Sequence, residues 1–349
     1  MVQKSVYTRV FLFLLPLVFI SGCTLPDIFP GQDVINVNPE TQEEGFRDVL
    51  VIKDINTIPK SPVLAGQTIL LSFIIENRDA EKEVKEAFVD LFDAPLFKNM
   101  AGRRCNDAPN NCVPTVCTPG LPCKISPILP GEQKQINFEL KAPDDQATAG
   151  LPTDIDINFR VNYTFDGSTL FKLVVVNFEE IKARQRAGSP ITLDILKSFG
   201  SGPVKMDVEL KGGPYMLSGL GGTLAFTVKN TGDTSKGSIS ESKIPVSPPG
   251  KFAFGLTIKF PEELVTNVNN LVSPSAFLCI GPIEESIDCF NIANITLFKG
   301  ESVPLLFQIK NAPSLTAPFK SFDIKAFLRY TYELRDSAKV TVVPLAKVQ

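Results

Sequence analysis

Three stretches of this chain recur, in the same order, in its two halves, and a duplicated unit fixes how many times the polypeptide must fold. Leu71-Ser72-Phe73-Ile74-Ile75-Glu76-Asn77 matches Leu224-Ala225-Phe226-Thr227-Val228-Lys229-Asn230, each copy shortly after a glycine, Gly66 or Gly222. Pro130-Gly131-Glu132, followed by Ile136, Phe138 and Leu140 and ending at Ala142-Pro143, matches Gly300-Glu301, followed by Leu305, Phe307 and Ile309 and ending at Ala312-Pro313. The stretch from Ile155 through Phe159 and Tyr163 to Phe165 matches the one from Ile324 through Leu328 and Tyr330 to Tyr332, and both then run on into a closing strand, 170–177 and 338–343. Apolar residues alternate with polar or small ones throughout, and a period of two marks half-buried strands. One stretch is contested: in 81–92, Val84, Ala87, Phe88, Leu91 and Phe92 also fit a helix. Its place after Asn77-Arg78-Asp79, equivalent to Asn230-Thr231-Gly232, makes its later part a strand. A chain of 349 residues has room for about two domains. The reading is therefore all-β, with two tandem antiparallel β-sandwich domains at 49–182 and 203–349. A linker at 183–202 carries the breakers Gly188-Ser189-Pro190 and Gly200-Ser201-Gly202, with a short strand or helical turn at 191–196.

In each repeat a glycine precedes a strand that ends in an aliphatic residue, a variable one, Asn, a variable one, and Gly or Asp. A later Gly-Glu turn leads into a strand built on Phe138-Glu139-Leu140 or Phe307-Gln308-Ile309. This pattern resembles the CARDB-like family of immunoglobulin-like domains, found in tandem on archaeal and bacterial surface proteins. The resemblance covers both repeats. It implies immunoglobulin-like sandwiches with a role in adhesion or protein recognition, and it brings no catalytic residues with it. The long cysteine-bearing excursions depart from the compact family pattern.

Placement is read from the amino terminus. Lys4 and Arg9 precede an apolar run at 10–20, the length of a secretory hydrophobic region and too short to cross a bilayer of ~30 Å. It ends in Ile20-Ser21-Gly22-Cys23, which resembles the lipobox of lipoprotein signal peptides. That resemblance makes 1–22 a cleaved signal and Cys23 the first mature residue, carrying diacylglycerol, whose two chains suffice for stable anchoring. Residues 23–48, with Pro26, Pro30, Gly31 and Pro39, read as a flexible tether. The expected location is extracytoplasmic, on the outer face of the cell membrane, at the cell surface or in a periplasm.

Six further cysteines remain: Cys105, Cys112, Cys117, Cys123, Cys279 and Cys289. An even number in an exported chain reads as disulfides. Cys279 and Cys289 are the only two in the second repeat and pair with each other. The other four allow three connectivities, or a four-cysteine zinc site, against which stands the lack of a close Cys-x2-Cys pair. In both repeats the cysteines fall after the middle strand and before the Gly-Glu turn, so the same loop, 98–126 or 264–291, is enlarged and stapled twice. Enlarged loops on a rigid scaffold are where recognition surfaces usually sit, which makes Arg103, Arg104 and Phe277 candidate binding residues. A satellite core beneath the second loop, or a contact between the two domains, is the competing reading of Phe277.

The chain has no histidine, which removes imidazole bases, Ser-His and Cys-His nucleophiles and histidine metal ligands. A net charge of −3 and the lack of basic runs give nucleic acid no footing. No enzyme, cofactor or metal is expected. Asn162 and Asn294 head N-glycosylation sequons. Asp154 and Asp156 share one strand face, where solvation explains them more simply than calcium. The expected function is a lipid-anchored binding or adhesion protein presenting its stapled loops to another surface protein or a glycan. The alternatives are a structural envelope component, either spacer or assembly subunit, and, more remotely, an accessory subunit of a membrane enzyme or transporter.

Overall fold

The structure, a computed structural model, describes residues 35–43, 48–99, 115–117, 122–189, 191–247 and 255–345. It is all-β but for one α-helix and two short 3-10 turns among those residues. Two strands set its shape. Thr153–Val176 has 24 residues and Phe319–Val343 has 25, and they pair antiparallel without interruption from Thr153 opposite Val342 to Val176 opposite Phe319. At about 3.3 Å per residue the pair runs roughly 80 Å. Both strands are rich in β-branched and aromatic residues and contain no proline, so no ladder bond is lost along them. On the inner face Ile155, Ile157, Phe159, Val161, Tyr163 and Phe165 alternate with more exposed neighbours.

Each half of this spine belongs to a different layered unit. Near one end the first long strand pairs with Glu86–Asp93, and Val63–Leu64 lies parallel to the tail of the second. A sheet of Leu50–Ile58, Thr68–Asn77 and Gln133–Lys141 covers this half, with Phe73 stacked 4.1 Å from Phe159 across the layers. Towards the other end Ile191–Phe199 pairs with the first long strand and Gly255–Pro261 with the second. Ser286–Asn291 and Phe277–Ile283 continue the sheet outward. Here the covering sheet holds Val204–Lys211, Gly222–Asn230 and Leu305–Ile309, and Phe226, Phe260 and Phe307 meet with ring centroids 5.3–6.2 Å apart. Both halves share one contiguous core.

This pairing exchanges strands between the repeats. Residues 170–177 and 338–343, expected as separate closing strands, are continuous with the strands before them, and each completes the unit of the other repeat. The triplets Asp166-Gly167-Ser168 and Arg335-Asp336-Ser337 have turn composition but lie extended inside the long strands. Gly167 suits a close approach there, since a Cβ would stand 3.3 Å from the Val204 carbonyl. Other expectations are corrected too. The segment expected as a linker, 183–202, holds the second half of the helix Phe178–Ala187, and the short strand or helical turn expected at 191–196 is a strand, Ile191–Phe199. The helix starts on Asn177, whose side chain accepts the Glu179 amide, and stops at left-handed Gly188. Glu179 and Glu180 at its start and Arg184 and Arg186 at its end match its dipole. Within the expected tether, Ile35–Glu43 is a strand parallel to Ile191–Phe199. The contested 81–92 stretch does become a strand in its later part, Glu86–Asp93.

The two units meet where Tyr163 lies opposite Tyr332, with rings 5.7 Å apart, and where Tyr330 meets both Phe165 and Tyr332 at 6.4 Å. These rings fit because glycines face them. A Cβ on Gly237 would come 2.5 Å from the Tyr332 hydroxyl, and one on Gly202, at φ +112°, 2.6 Å from the Tyr330 hydroxyl. Burial raises all three tyrosine pKa values, so the hydroxyls stay protonated, and that of Tyr332 donates to Asn230 Oδ1 at 3.1 Å. Overpacking a core site destabilises by about 1–3 kcal/mol, whereas deleting one neutral hydrogen bond costs about 1 kcal/mol. Urea unfolding of Gly237→Ala should therefore show a larger loss of stability than that of Tyr332→Phe.

Candidate functional site

The expected site residues are distributed unevenly along the spine. Cys23, Arg103, Arg104, Cys105 and Cys112 lie outside the described residues. So does the side chain of Cys117, whose backbone sits in Thr115–Cys117, parallel to Gln133–Lys141. Cys123 is described, half-buried, and disulfide-bonded. The excursion that carries these cysteines leaves the fold at a defined place. Asp93 is opposite Asn158, and Lys98 is opposite Lys141, which is itself opposite Thr68. Ala65 donates to the Val343 carbonyl at 2.9 Å close by. The first enlarged loop therefore departs from the end of the spine marked by Thr153 and Val343.

The opposite end receives the amino-terminal strand. Ile35 is opposite Ile191. Because Ile191–Phe199 runs antiparallel to the first long strand, with Phe199 opposite Thr169, Ile191 lies at the Val176 end. The helix Phe178–Ala187 sits there too, and Asn177 donates from its backbone to Pro318 and from its side chain to Leu315. The spine is thus polar: the amino-terminal strand joins at one end and the first enlarged loop leaves at the other. Repeat matching could not show this polarity, because it depends on long-range pairing of segments that carry no motif.

The second enlarged loop is corrected. Residues 264–291 include an ordered hairpin, Phe277–Ile283 with Ser286–Asn291, at the edge of the large sheet. Cys279 and Cys289 are cross-strand neighbours and form the expected disulfide. Phe277 is 5% exposed and packs on Phe307 with centroids 5.0 Å apart, so it belongs to the core and offers nothing to a partner. Aromatic size and alternation pulled it inward, whereas Leu278, on the other face, looks out.

The two sequons differ in the same way. Asn162 sits mid-strand between Phe88 and Glu333, its Oδ1 buried, whereas Asn294 is exposed in the loop between Ser286–Asn291 and Ile295–Phe298. Asp154 is matched across the spine by Lys339 at 2.9 Å and accepts from Thr341 at 2.7 Å; the Lys339 ammonium holds its carboxyl below the usual range. A cleft of about 340 Å³ opens at mid-spine, lined by Asp48, Arg78, Asp233, Lys236 and Asp336 over Leu50 and Leu334. Its charges answer one another: Lys236 meets Asp336 at 2.8 Å, and the Asp233 amide donates to Asp48 at 3.3 Å. The cleft is a polar seam between the two units. Among the described residues no group of three His, Cys, Asp or Glu side chains could hold a metal ion, and no helix is long and apolar enough to cross a membrane.

No family model matches the chain, and neither does any curated protein. Solved structures give low likenesses. Escherichia coli alpha-2-macroglobulin in its native conformation has 11% identity and a TM-score of 0.17, with 85% of this chain and 17% of that one covered. The elastase-activated form has 10% and 0.16, with 86% and 22% covered. The CFA/I enterotoxigenic E. coli adhesin CfaE has 9% and 0.10, with 90% and 99% covered. The chain spans about a fifth of the macroglobulin's length, and at these TM-scores none of the three carries an argument.

Two outcomes follow from the geometry. Closing a loop as short as that between Cys279 and Cys289 contributes about 2–3 kcal/mol in the chain-entropy account, so Cys279→Ser with Cys289→Ser should lower unfolding free energy by that much in denaturant titration. In a host that glycosylates sequons, the glycan mass measured on the intact protein should disappear in Asn294→Gln and persist in Asn162→Gln.

Proposed function

We propose that this chain is an exported protein held by a lipid on Cys23 to the outer face of a membrane. In this reading its two immunoglobulin-like sandwiches act without catalysis, as a rigid stalk for binding or adhesion. The observation that carries the reading is the polarity of the spine. The strand nearest Cys23 in sequence joins at one end, and the excursion that runs on to Arg103 and Arg104 leaves from the other, roughly 80 Å away along paired strands, before returning through Cys117 beside Phe138 and Cys123 opposite Val89. A partner at another surface, protein or glycan, would meet that excursion first. The hairpin at 277–291 takes no part in recognition and reinforces the sheet edge.

The second reading, a structural spacer, draws on the same spine. Strands exchanged between the units join them along two covalent paths, which suits a component that sets a fixed distance. Proteoliposomes carrying the lipidated chain separate the two. Arg103→Ala with Arg104→Ala should abolish their adhesion to cells of the source organism while leaving the thermal midpoint unchanged. Adhesion that survives this change and is lost on substituting exposed strand residues such as Leu306 would instead establish lateral contacts and the spacer reading. An intact mass without added lipid would remove the membrane from both.

A further inference from the structure

The end of the spine that receives the amino-terminal strand also carries a cluster of exposed large apolar side chains. Phe178, Leu220 and Phe319 are 47%, 55% and 44% exposed. They are neighbours through the backbone. Phe319 is opposite Val176, and Asn177, which precedes Phe178, donates to the Pro318 carbonyl at 2.9 Å. Ser218 donates to the Val176 carbonyl at 2.8 Å, and Leu220 follows two residues later, held by Ala312. Lys182 lies over the Phe178 ring at 4.2 Å and meets Glu179 at 3.1 Å, and Arg186 and Lys320, the latter paired with Glu263 at 2.6 Å, belong to the same end. An aromatic and aliphatic face edged by long amphipathic side chains, cations among them paired with carboxylates, has the composition of a surface that sits at a lipid headgroup boundary.

The position of the chain outside the described residues selects the occupant. Ile35 enters the fold at this end, opposite Ile191. Eleven residues lie between it and Cys23, a path of at most about 40 Å even when fully extended. We infer that Phe178, Leu220 and Phe319 seat directly on the bilayer, so that the lipid on Cys23 and this apolar end form a two-part attachment and the spine points away from the membrane. The inference rests on the lipid anchor proposed above. Three side chains are too small an area to hold a protein to a bilayer alone; their role is to fix orientation once the lipid has provided attachment.

The chain has no tryptophan, so a single introduced indole is a clean reporter. The lipidated full chain would be prepared as Phe178→Trp, Leu220→Trp and Phe319→Trp. Two controls accompany them: Leu151→Trp, exposed at the far end, and Phe298→Trp, exposed beside mid-spine residue Asn230. Each is reconstituted on phosphatidylcholine/phosphatidylglycerol vesicles, with and without acyl-chain bromination, and intact mass scores the lipid separately. The three end positions should shift to the blue on vesicles and lose much of their emission to brominated lipid, with neither effect at the controls. Unquenched end positions on a chain whose mass includes the lipid would overturn the seating and leave the anchor standing. A chain lacking the lipid would overturn both. A blue shift at the end positions without vesicles, growing with protein concentration, would assign the face to a second copy and overturn the seating.

Discussion

The antiparallel pairing of Thr153–Val176 with Phe319–Val343 is the interaction on which the rest of the molecule depends. It supplies the central strands of both layered units, decides which segments neighbour one another, and gives the protein two distinguishable ends. Without it each covering sheet would lose the partner for its apolar face. Phe73 of one covering sheet stacks on Phe159 of the first long strand, and Phe226 and Phe307 of the other meet Phe260 on the strand paired with the second. Neither unit is complete with its own repeat alone, so the core is shared and the relative placement of the two units is set by backbone hydrogen bonds.

The crossing point shows how closely side chains must agree with that pairing. Like residues of the two repeats meet there: Tyr163 is opposite Tyr332 and Thr164 is opposite Thr331 across the ladder. The rings of Tyr163, Tyr330 and Tyr332 fill the junction, and Gly202, Gly232 and Gly237 leave the room they need. On the outer face Arg160 reaches Asp90 at 2.9 Å and Glu333 at 3.5 Å, while Phe92 lies under both Arg160 and Arg335. Partly exposed pairs of this kind stabilise little one by one. Here they join residues from both repeats to a third strand, which favours the exchanged pairing.

Period-two alternation, a local property, made the strands legible in the sequence, as it did the strand at Glu86–Asp93 within an ambiguous stretch. Cys279 with Cys289 was legible because the second repeat offered no other choice. The exchange was not legible, because Asp166-Gly167-Ser168 and Arg335-Asp336-Ser337 read locally as turns, and only long-range pairing overrides that preference. The helix at Phe178–Ala187 was missed because its ten residues straddle the expected boundary and bury one side chain, Ile181, too little for a helical period to show. Phe277 was left between a binding role and a buried satellite core, because an apolar residue in a long connection looks available until a facing residue, here Phe307, is found for it. The polarity of the spine, on which the functional reading rests, is a property of topology that no motif encodes.

The central claim is that the repeats exchange their last strands, and cysteine cross-linking in the full chain tests it most directly. Lys172→Cys with Asp323→Cys places thiols on directly opposed residues of the two long strands. Thr164→Cys with Leu170→Cys places them where they would meet only if Asp166-Gly167-Ser168 folded back as a turn; in the extended strand they are about 20 Å apart. Peptide mapping by mass spectrometry after mild oxidation should find the 172–323 link within one chain and no 164–170 link. A 164–170 link, with 172 and 323 unjoined, would mean that each repeat closes on itself, and the spine and its two ends would fall with that result.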